Sequence, residues 1–309
     1  MSEADRKETF LIPGYQHRTL KELAHHAIWR LIAPLPDRPY IAVKYRVIKG
    51  AWPDLKQPKT FTEKVQARKL HDRNPLFPVV VDKAAMKDYV ARRVGGDYVI
   101  PSYWVGTDLM DVDWKAVELP AVVKPTHASA QGRFLYNARD IDNLLTDNPA
   151  PRWLTLDHAA YNREWAYAEV SPRIVIEQML RTQGGIPWDY RVFTFNGVVS
   201  HIEVNMRVEG KGYACHYSPA WEKLPFHDPD YLPLYSGEVK RPARLEEMLR
   251  VAETLGSDFD FVRVDLYADD QWIKVGELTL YPGGGFERFD PPDYDRWLGD
   301  KWTLAFEIP

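Results

Sequence analysis

The 309-residue chain contains a single cysteine, Cys215, which excludes an internal disulfide and any cysteine-based metal cluster. Alone, it reads as a small buried apolar residue in a reducing compartment rather than as a nucleophile. Neither sign of charge dominates: 40 Lys and Arg stand against 44 Asp and Glu, a formal net charge of -4. The basic footprint of a nucleic-acid binder is therefore missing. Long hydrophobic runs are missing too. The greasiest stretch, Ala24 to Leu35, is interrupted by His25, His26 and Arg30 and closes at Pro34, so it does not span a bilayer. The start, Met-Ser-Glu-Ala-Asp-Arg-Lys-Glu, lacks the basic-then-apolar pattern of an export signal. The expected location is cytoplasmic. Internal repeats, low-complexity segments and a convincing Ser-His-Asp or Cys-His set are also lacking, so nothing points to a covalent enzyme intermediate.

What is present is an ordered series of short elements. Leu20, Leu23, Ala24, Ala27, Ile28 and Leu31 have the spacing of an amphipathic helix over about 20 to 33, followed by a stretch rich in Pro and basic residues from Pro34 through Pro58. Thr60-Phe61-Thr62-Glu63 signals a helix start for a helix through Leu70. A second helix is expected from about Lys83 to Val94, stopped by Gly95-Gly96. Tyr98 to Pro101 reads as a short strand. Ala121-Val122-Val123-Lys124-Pro125 has a buried-strand pattern ending on a lysine, answered by Phe134-Leu135-Tyr136 across a small, polar loop. Such a loop exposes backbone donors that cradle phosphates.

Further on, Arg173 to Leu180 is a strongly apolar strand. Asp189 to Phe195 and Val198 to Asn205 are two strands joined by Asn196-Gly197, a strong short hairpin signal. A helix from about Leu245 to Leu255 precedes the most informative segment. There, Phe261 to Tyr267 and Val275 to Leu280 read as adjacent strands, which puts Arg263, Asp265, Glu277 and Thr279 on one face. Two carboxylates and an arginine suit a hard cation with phosphate oxygens. They equally suit a solvated acidic face with one salt bridge. The element order makes the class α+β.

Taken in order, these motifs resemble the ATP-grasp superfamily, and more narrowly its TupA-like group, named for teichuronopeptide synthesis. The resemblance rests on Pro58 to Lys64, Asp72-Arg73-Asn74-Pro75-Leu76, Asp82-Lys83, Val123-Lys124, Phe259 to Tyr267 and Gly276-Glu277-Leu278-Thr279, and extends from about Leu35 to Asp300. It implies an ATP-grasp fold with the nucleotide held between a small strand-rich lid and a C-terminal mixed sheet. The implied domains are an N-terminal extension (1–58), a helical/strand subdomain (59–119), the lid (120–172) and the C-terminal subdomain with the metal site (173–309).

The resemblance also implies roles. Lys83 and Lys124 would contact phosphates, and His127 and Ser129 belong to the phosphate loop. Glu177, Gln178 and Met179 would form the adenine hinge, and Asp189 would meet the ribose. Arg191 would reach the γ-phosphate or acyl group, and Arg263 would stabilise the oxyanion. Asp265, Glu277 and Thr279 would hold Mg2+, two ions in the family pattern, with Mn2+ as a substitute. The implied activity is a carboxylate-amine ligase that consumes ATP through an acyl phosphate and joins an amino acid to a uronic acid, peptide or natural-product carboxylate. Two alternatives stay open: a kinase acting on a hydroxyl, and a non-catalytic nucleotide- or glycan-binding module. The chain departs from its relatives at Thr279, where many ATP-grasp ligases carry Asn. It departs again at Ala128 and Ala130, where they carry glycines.

Overall fold

The computed structural model describes residues 28–183 and 185–309. Part of the helix expected over 20 to 33 lies outside the described residues; within them, residues 28–32 are helical. The Pro-rich stretch after it contains helix α1 (Asp37–Lys49), which the composition concealed. Its Pro39 falls in the first turn, where a missing N–H costs no hydrogen bond. Helix α2 (Phe61–His71) starts where expected. The Thr60 hydroxyl accepts from the Glu63 amide while the Glu63 carboxylate accepts from the Thr60 amide, a reciprocal cap, worth about 1 kcal/mol.

Helix α3 (Ala85–Val94) begins two residues later than expected, so Lys83 sits in the turn before it rather than on it. Tyr98 to Pro101 is not a strand: Gly96–Tyr98 is a 3-10 turn, and the strand β1 follows at Ser102–Gly106. Beyond it come β2 (Ala121–Pro125), β3 (Arg133–Leu135), α4 (Ala138–Asp147) and β4 (Ile174–Gln178). Among the elements that follow are β5 (Asp189–Phe195), β6 (Val198–Val208), β7 (Lys211–Tyr217), β8 (Lys223–Leu224), α5 (Leu245–Gly256), β9 (Phe261–Ala268), β10 (Ile273–Thr279) and α6 (Asp293–Lys301).

The chain forms two compact units. The smaller comprises the described residues up to Lys44, Asp82–Ala84 and Pro101–Met179. Its antiparallel sheet has the order β1-β4-β2-β3. Strand β4, expected to open the C-terminal part, thus pairs with β2 in this sheet. Alternation explains the layering. Ala121 and Val123 of β2 and Ile174 and Ile176 of β4 pack inward on Leu109, Leu135, Leu144 and Trp153, which leaves Lys124 and Glu177 on the opposite face.

The larger unit comprises Tyr45–Val81, Ala85–Ile100 and Leu180–Pro309. Its antiparallel sheet has the order β10-β9-β5-β6-β7-β8. The Asn196-Gly197 turn joins β5 to β6 with both residues at positive φ, 50° and 78°, as a tight hairpin requires. One face meets α5, where Gly256 lies against Thr194. On the other face Phe61 of α2 packs on Phe193, Phe195, Phe261 and Trp302, with ring centroids 5.0–6.3 Å apart. Two residues further along β9 from Phe261, and two back along β5 from Phe193, that same face turns from aromatic to charged.

Candidate active site

In the smaller unit, β2 and β4 pair so that Val122 faces Glu177. Lys124 is therefore the diagonal neighbour of Glu177 on one face, and its Nζ lies 2.5 Å from Glu177 Oε1. Asp82 bridges to Arg173 at 2.7 Å. The Lys83 amide donates to Thr126 O, and its ammonium donates to Ala128 O at 2.9 Å. The turn before α3 is thereby tied to the loop after β2. In that loop His127 is buried, with neither ring nitrogen meeting a hydrogen-bond partner. Burial holds its pKa below the ordinary value, which favours the neutral imidazole.

Ser129 and Ala130 are exposed. Ala130 sits at φ 58°, the left-handed region that favours glycine. The amides of Gln178 and Met179 are already committed, to Pro101 O at 3.0 Å and Pro120 O at 3.1 Å. In this arrangement neither N–H is spare for a base edge. Lys83, Lys124, His127, Ser129, Glu177, Gln178 and Met179 all belong to this unit.

Asp189, Arg191, Arg263, Asp265, Glu277 and Thr279 belong to the larger unit. Arg263 and Thr279 are direct partners across β9 and β10, as are Asp265 and Glu277. Both carboxylate oxygens of Asp265 accept from Arg263, Nε and Nη2 each at 2.7 Å, and Nη2 also reaches Thr279 Oγ1 at 3.1 Å. Arg263 Nη1 has no hydrogen-bond partner among the described residues. Burial raises the Asp265 pKa despite the opposing Arg263 charge. For Arg263 burial pulls downward, but Asp265 outweighs it and the guanidinium stays charged.

Arg191 is more fully engaged. Its Nε meets Asp189 at 2.8 Å, Nη1 meets Glu203 at 3.1 Å and Nη2 meets the Tyr231 hydroxyl at 2.9 Å. Arg263, with a nitrogen to spare, is the better placed of the two to bind an anion.

Among the described residues no three His, Cys, Asp or Glu side chains form a metal cage. Magnesium seldom needs one, since it is commonly held by one or two carboxylates plus substrate phosphates and water. Asp265 and Glu277 supply such carboxylates, and each Asp265 oxygen keeps a lone pair beyond its bond to Arg263. The donor set fits the ion. Thr279 fits less well, because its hydroxyl oxygen is already turned to a guanidinium.

Glu203, Tyr231, Asn205 and Glu287 join this cluster without having been singled out in the sequence. His201, Glu203 and Asn205 alternate with apolar residues along β6, a readable period-two signal. Glu287 follows a glycine-rich turn and carries no pattern of its own.

A family model described as TupA-like ATPgrasp matches residues 63–303. No curated protein matches the chain. Among solved structures, the D-alanine--D-alanine ligase of Bacillus anthracis is 16% identical, with 65% of this chain and 57% of that one covered and a TM-score of 0.42. The ATP-grasp ligase PsnB with a minimal precursor is 16% identical over 85% of this chain and 68% of its own, with a TM-score of 0.38. N5-carboxyaminoimidazole ribonucleotide synthetase of Thermus thermophilus is 10% identical over 84% and 58%, with a TM-score of 0.39. The chain spans little more than half the length of the Bacillus anthracis ligase it matches.

Proposed function

Because the chain belongs to the TupA-like ATP-grasp family, we propose that it is an ATP-dependent ligase that joins a carboxylate to an amine and releases ADP and phosphate. The observation that carries this reading is the pairing of half-buried Glu277 with buried Asp265 beside buried Arg263, on one sheet face. Carboxylates, a guanidinium with a free donor and a low-dielectric setting are what phosphoryl transfer to a carboxylate requires of a protein.

In this reading a substrate carboxylate oxygen attacks the γ-phosphorus of ATP, the bond to the β-phosphate oxygen breaks, and an acyl phosphate forms. Amine attack then expels phosphate and leaves an amide. Lys83, Lys124, His127 and Ser129 contact phosphates, while Glu177 with Gln178 and Met179 receives the adenine. The committed amides of Gln178 and Met179 mean that the hinge reads the base through its carbonyl oxygens, or after exchanging a partner. Asp189 meets the ribose hydroxyls, and Arg191 orients the acidic groups around it.

Arg263 Nη1 faces the charge that develops on the acyl oxygen. Asp265 and Glu277 hold magnesium, and Thr279 acts through Arg263 or through water. Bound there, magnesium neutralises charge on the β- and γ-phosphates. The carboxylate belongs to a uronic acid, a peptide or a natural product, and the amine to an amino acid.

The test is an ATP-consumption screen of carboxylates, including D-glucuronate and D-galacturonate, against amino acids, with mass detection of products. ADP formation that requires both partners and yields a condensed product supports the proposal. A phosphorylated hydroxyl formed without the amine would replace it with a kinase. Among the described residues no helix is long and apolar enough to cross a membrane.

A further inference from the structure

The larger unit gathers more acid than the proposed chemistry has so far used. Asp265 and Glu277 are assigned to magnesium, and Asp189 and Glu203 hold Arg191. Two carboxylates remain, Asp228 and Glu287. The chain brings them together through a short antiparallel bridge: the His227 amide donates to Asp290 O at 3.2 Å, and the Asp290 amide returns to His227 O at 3.0 Å. Tyr231, one turn past Asp228, donates its amide to Asp228 O, and its hydroxyl accepts from Arg191.

Glu287 is anchored through its own carbonyl, which accepts from Lys49 Nζ, itself 3.0 Å from Asp295. Its side chain folds back over the glycine turn, since a Cβ built on Gly283 would collide with Glu287 Cγ. The charged groups around its carboxyl are Arg263, Glu203, Asp228 and Arg191.

Unpartnered atoms mark the same place. Glu287 Oε2 is buried with no hydrogen-bond partner. Asn205 is 8% exposed, on the strand face of Glu203 and directly across from Asp189, and neither Oδ1 nor Nδ2 of its amide has a partner. Leaving such groups unsatisfied is costly, so a cluster of them points to a ligand that satisfies them. With Asp189 given to the ribose and Arg263 Nη1 to the acyl oxygen, the two acceptors that remain, Glu287 Oε2 and Asn205 Oδ1, outnumber the one donor, Asn205 Nδ2, so the ligand is a donor, and the excess of carboxylate calls for positive charge. No metal cage exists there among the described residues. A primary ammonium, with three N–H donors and one charge, matches.

We infer that this cluster is the amine subsite of the ligase proposed above: Glu203 and Glu287 hold the ammonium group of the amine substrate, and Glu287 removes its proton. The inference rests on that reading for its chemistry. The ammonium first gives one proton to the Glu287 carboxylate, which frees the nitrogen lone pair; the C–N bond then forms from that pair, the acyl carbon–oxygen bond to phosphate breaks with its electrons leaving on phosphate, and the second nitrogen proton leaves with the phosphate. Burial pushes the Glu287 pKa up to about 8, and a base poised near the working pH is the efficient kind.

The first test needs neither ATP nor the true substrate. Protein carrying 13C-carboxyl glutamate is titrated by NMR, with Glu287→Gln assigning the resonance, in methylammonium chloride and in sodium chloride at equal ionic strength. Methylammonium is expected to lower the Glu287 midpoint by roughly 1 to 3 pH units, as an opposite charge within ~4–6 Å does. Glu203→Gln is expected to weaken that response. A midpoint indifferent to methylammonium overturns the subsite, whatever an activity screen returns. A responsive midpoint in a protein that never consumes ATP would sink the ligase reading and leave the ammonium site.

The second test uses a carboxylate that turns over. Glu287→Gln should lose about 10²–10⁴-fold with an amino acid acceptor, the usual worth of a general base. It should keep its rate with hydroxylamine, which is neutral at neutral pH. Equal losses with both acceptors would assign Glu287 a structural role and overturn its role as base.

Discussion

Glu277 faces Asp265 across β9 and β10 because the ladder slips by one residue between Val275 and Glu277. Val275 pairs with Leu266; without the bulge at Gly276, Asp265 would face the glycine and Glu277 would turn to the apolar side. The glycine is required by space. A Cβ at Gly276 would lie 2.7 Å from Tyr267 Cε2 and 3.4 Å from Asp265 O.

Gly276→Ala should therefore cost about 10²-fold in ATP turnover, since a displacement of ~1 Å at a reacting group has effects of that size. Steady-state kinetics check this. Adding Tyr267→Ala should restore part of the rate, and a single variant as active as the parent would contradict the register argument.

Ala130 carries a Cβ at φ 58°, a conformation that costs an L-residue about 1–2 kcal/mol. Ala130→Gly removes that strain and adds freedom to the unfolded chain, so thermal stability should change by less than about 1 kcal/mol. Ala130→Val adds β-branching in the same conformation and should destabilise by at least ~1 kcal/mol. Calorimetry on the pair decides it: if valine is tolerated as well as glycine, the loop does not hold this conformation.

Asn205 should be a residue kept for function at the expense of stability. Asn205→Leu removes two buried unsatisfied atoms at similar volume and should raise the unfolding free energy by about 1 kcal/mol or more, while weakening binding of whatever ligand the cluster takes. Denaturant unfolding measures the first effect, and calorimetric titration with methylammonium or nucleotide the second. A destabilised Asn205→Leu variant would mean that the amide has partners in the protein itself.

Stability should fall as the pH rises from about 6.5 to 8. Glu287 is raised to about 8 by burial, and Asp265 is also raised, whereas unfolded carboxyls titrate near ~4. The folded state then binds more protons than the unfolded one, so raising the pH through the folded values removes stability, by roughly 1.4 kcal/mol per pH unit per group. His201 and His216 act the other way. Burial depresses both, His216 to about 4, so their contribution grows with pH only until unfolded histidine is neutral, near ~6.5. Above that pH the carboxyls prevail. Denaturant midpoints across this range check the sign, and Glu287→Gln should flatten the slope.

Much of this was legible in the sequence for local reasons. The Thr60–Glu63 cap and the Asn196-Gly197 turn are set by neighbours in the chain, and period-two alternation was enough to place Arg263, Asp265, Glu277 and Thr279 on one face. The bulge that makes the alternation work at Gly276 was not legible, because the slip belongs to the pairing of β9 with β10 and not to either strand alone. Helix α1 was hidden by prolines that sit outside it or in its first turn. Lys83 was placed on a helix that starts two residues later, an error within the fraying of any helix start. Glu287 and Asn205 emerged only from burial and from missing partners, which are properties of the packed chain and not of any window of residues.

The central claim is that a carboxylate is activated as an acyl phosphate, and the position of one oxygen tests it. With an 18O-labelled carboxylate that supports turnover, together with its amine and magnesium ATP, mass spectrometry of the released phosphate should show one 18O atom transferred from the carboxylate. Phosphate carrying no label, or label retained entirely in the product, would contradict the account.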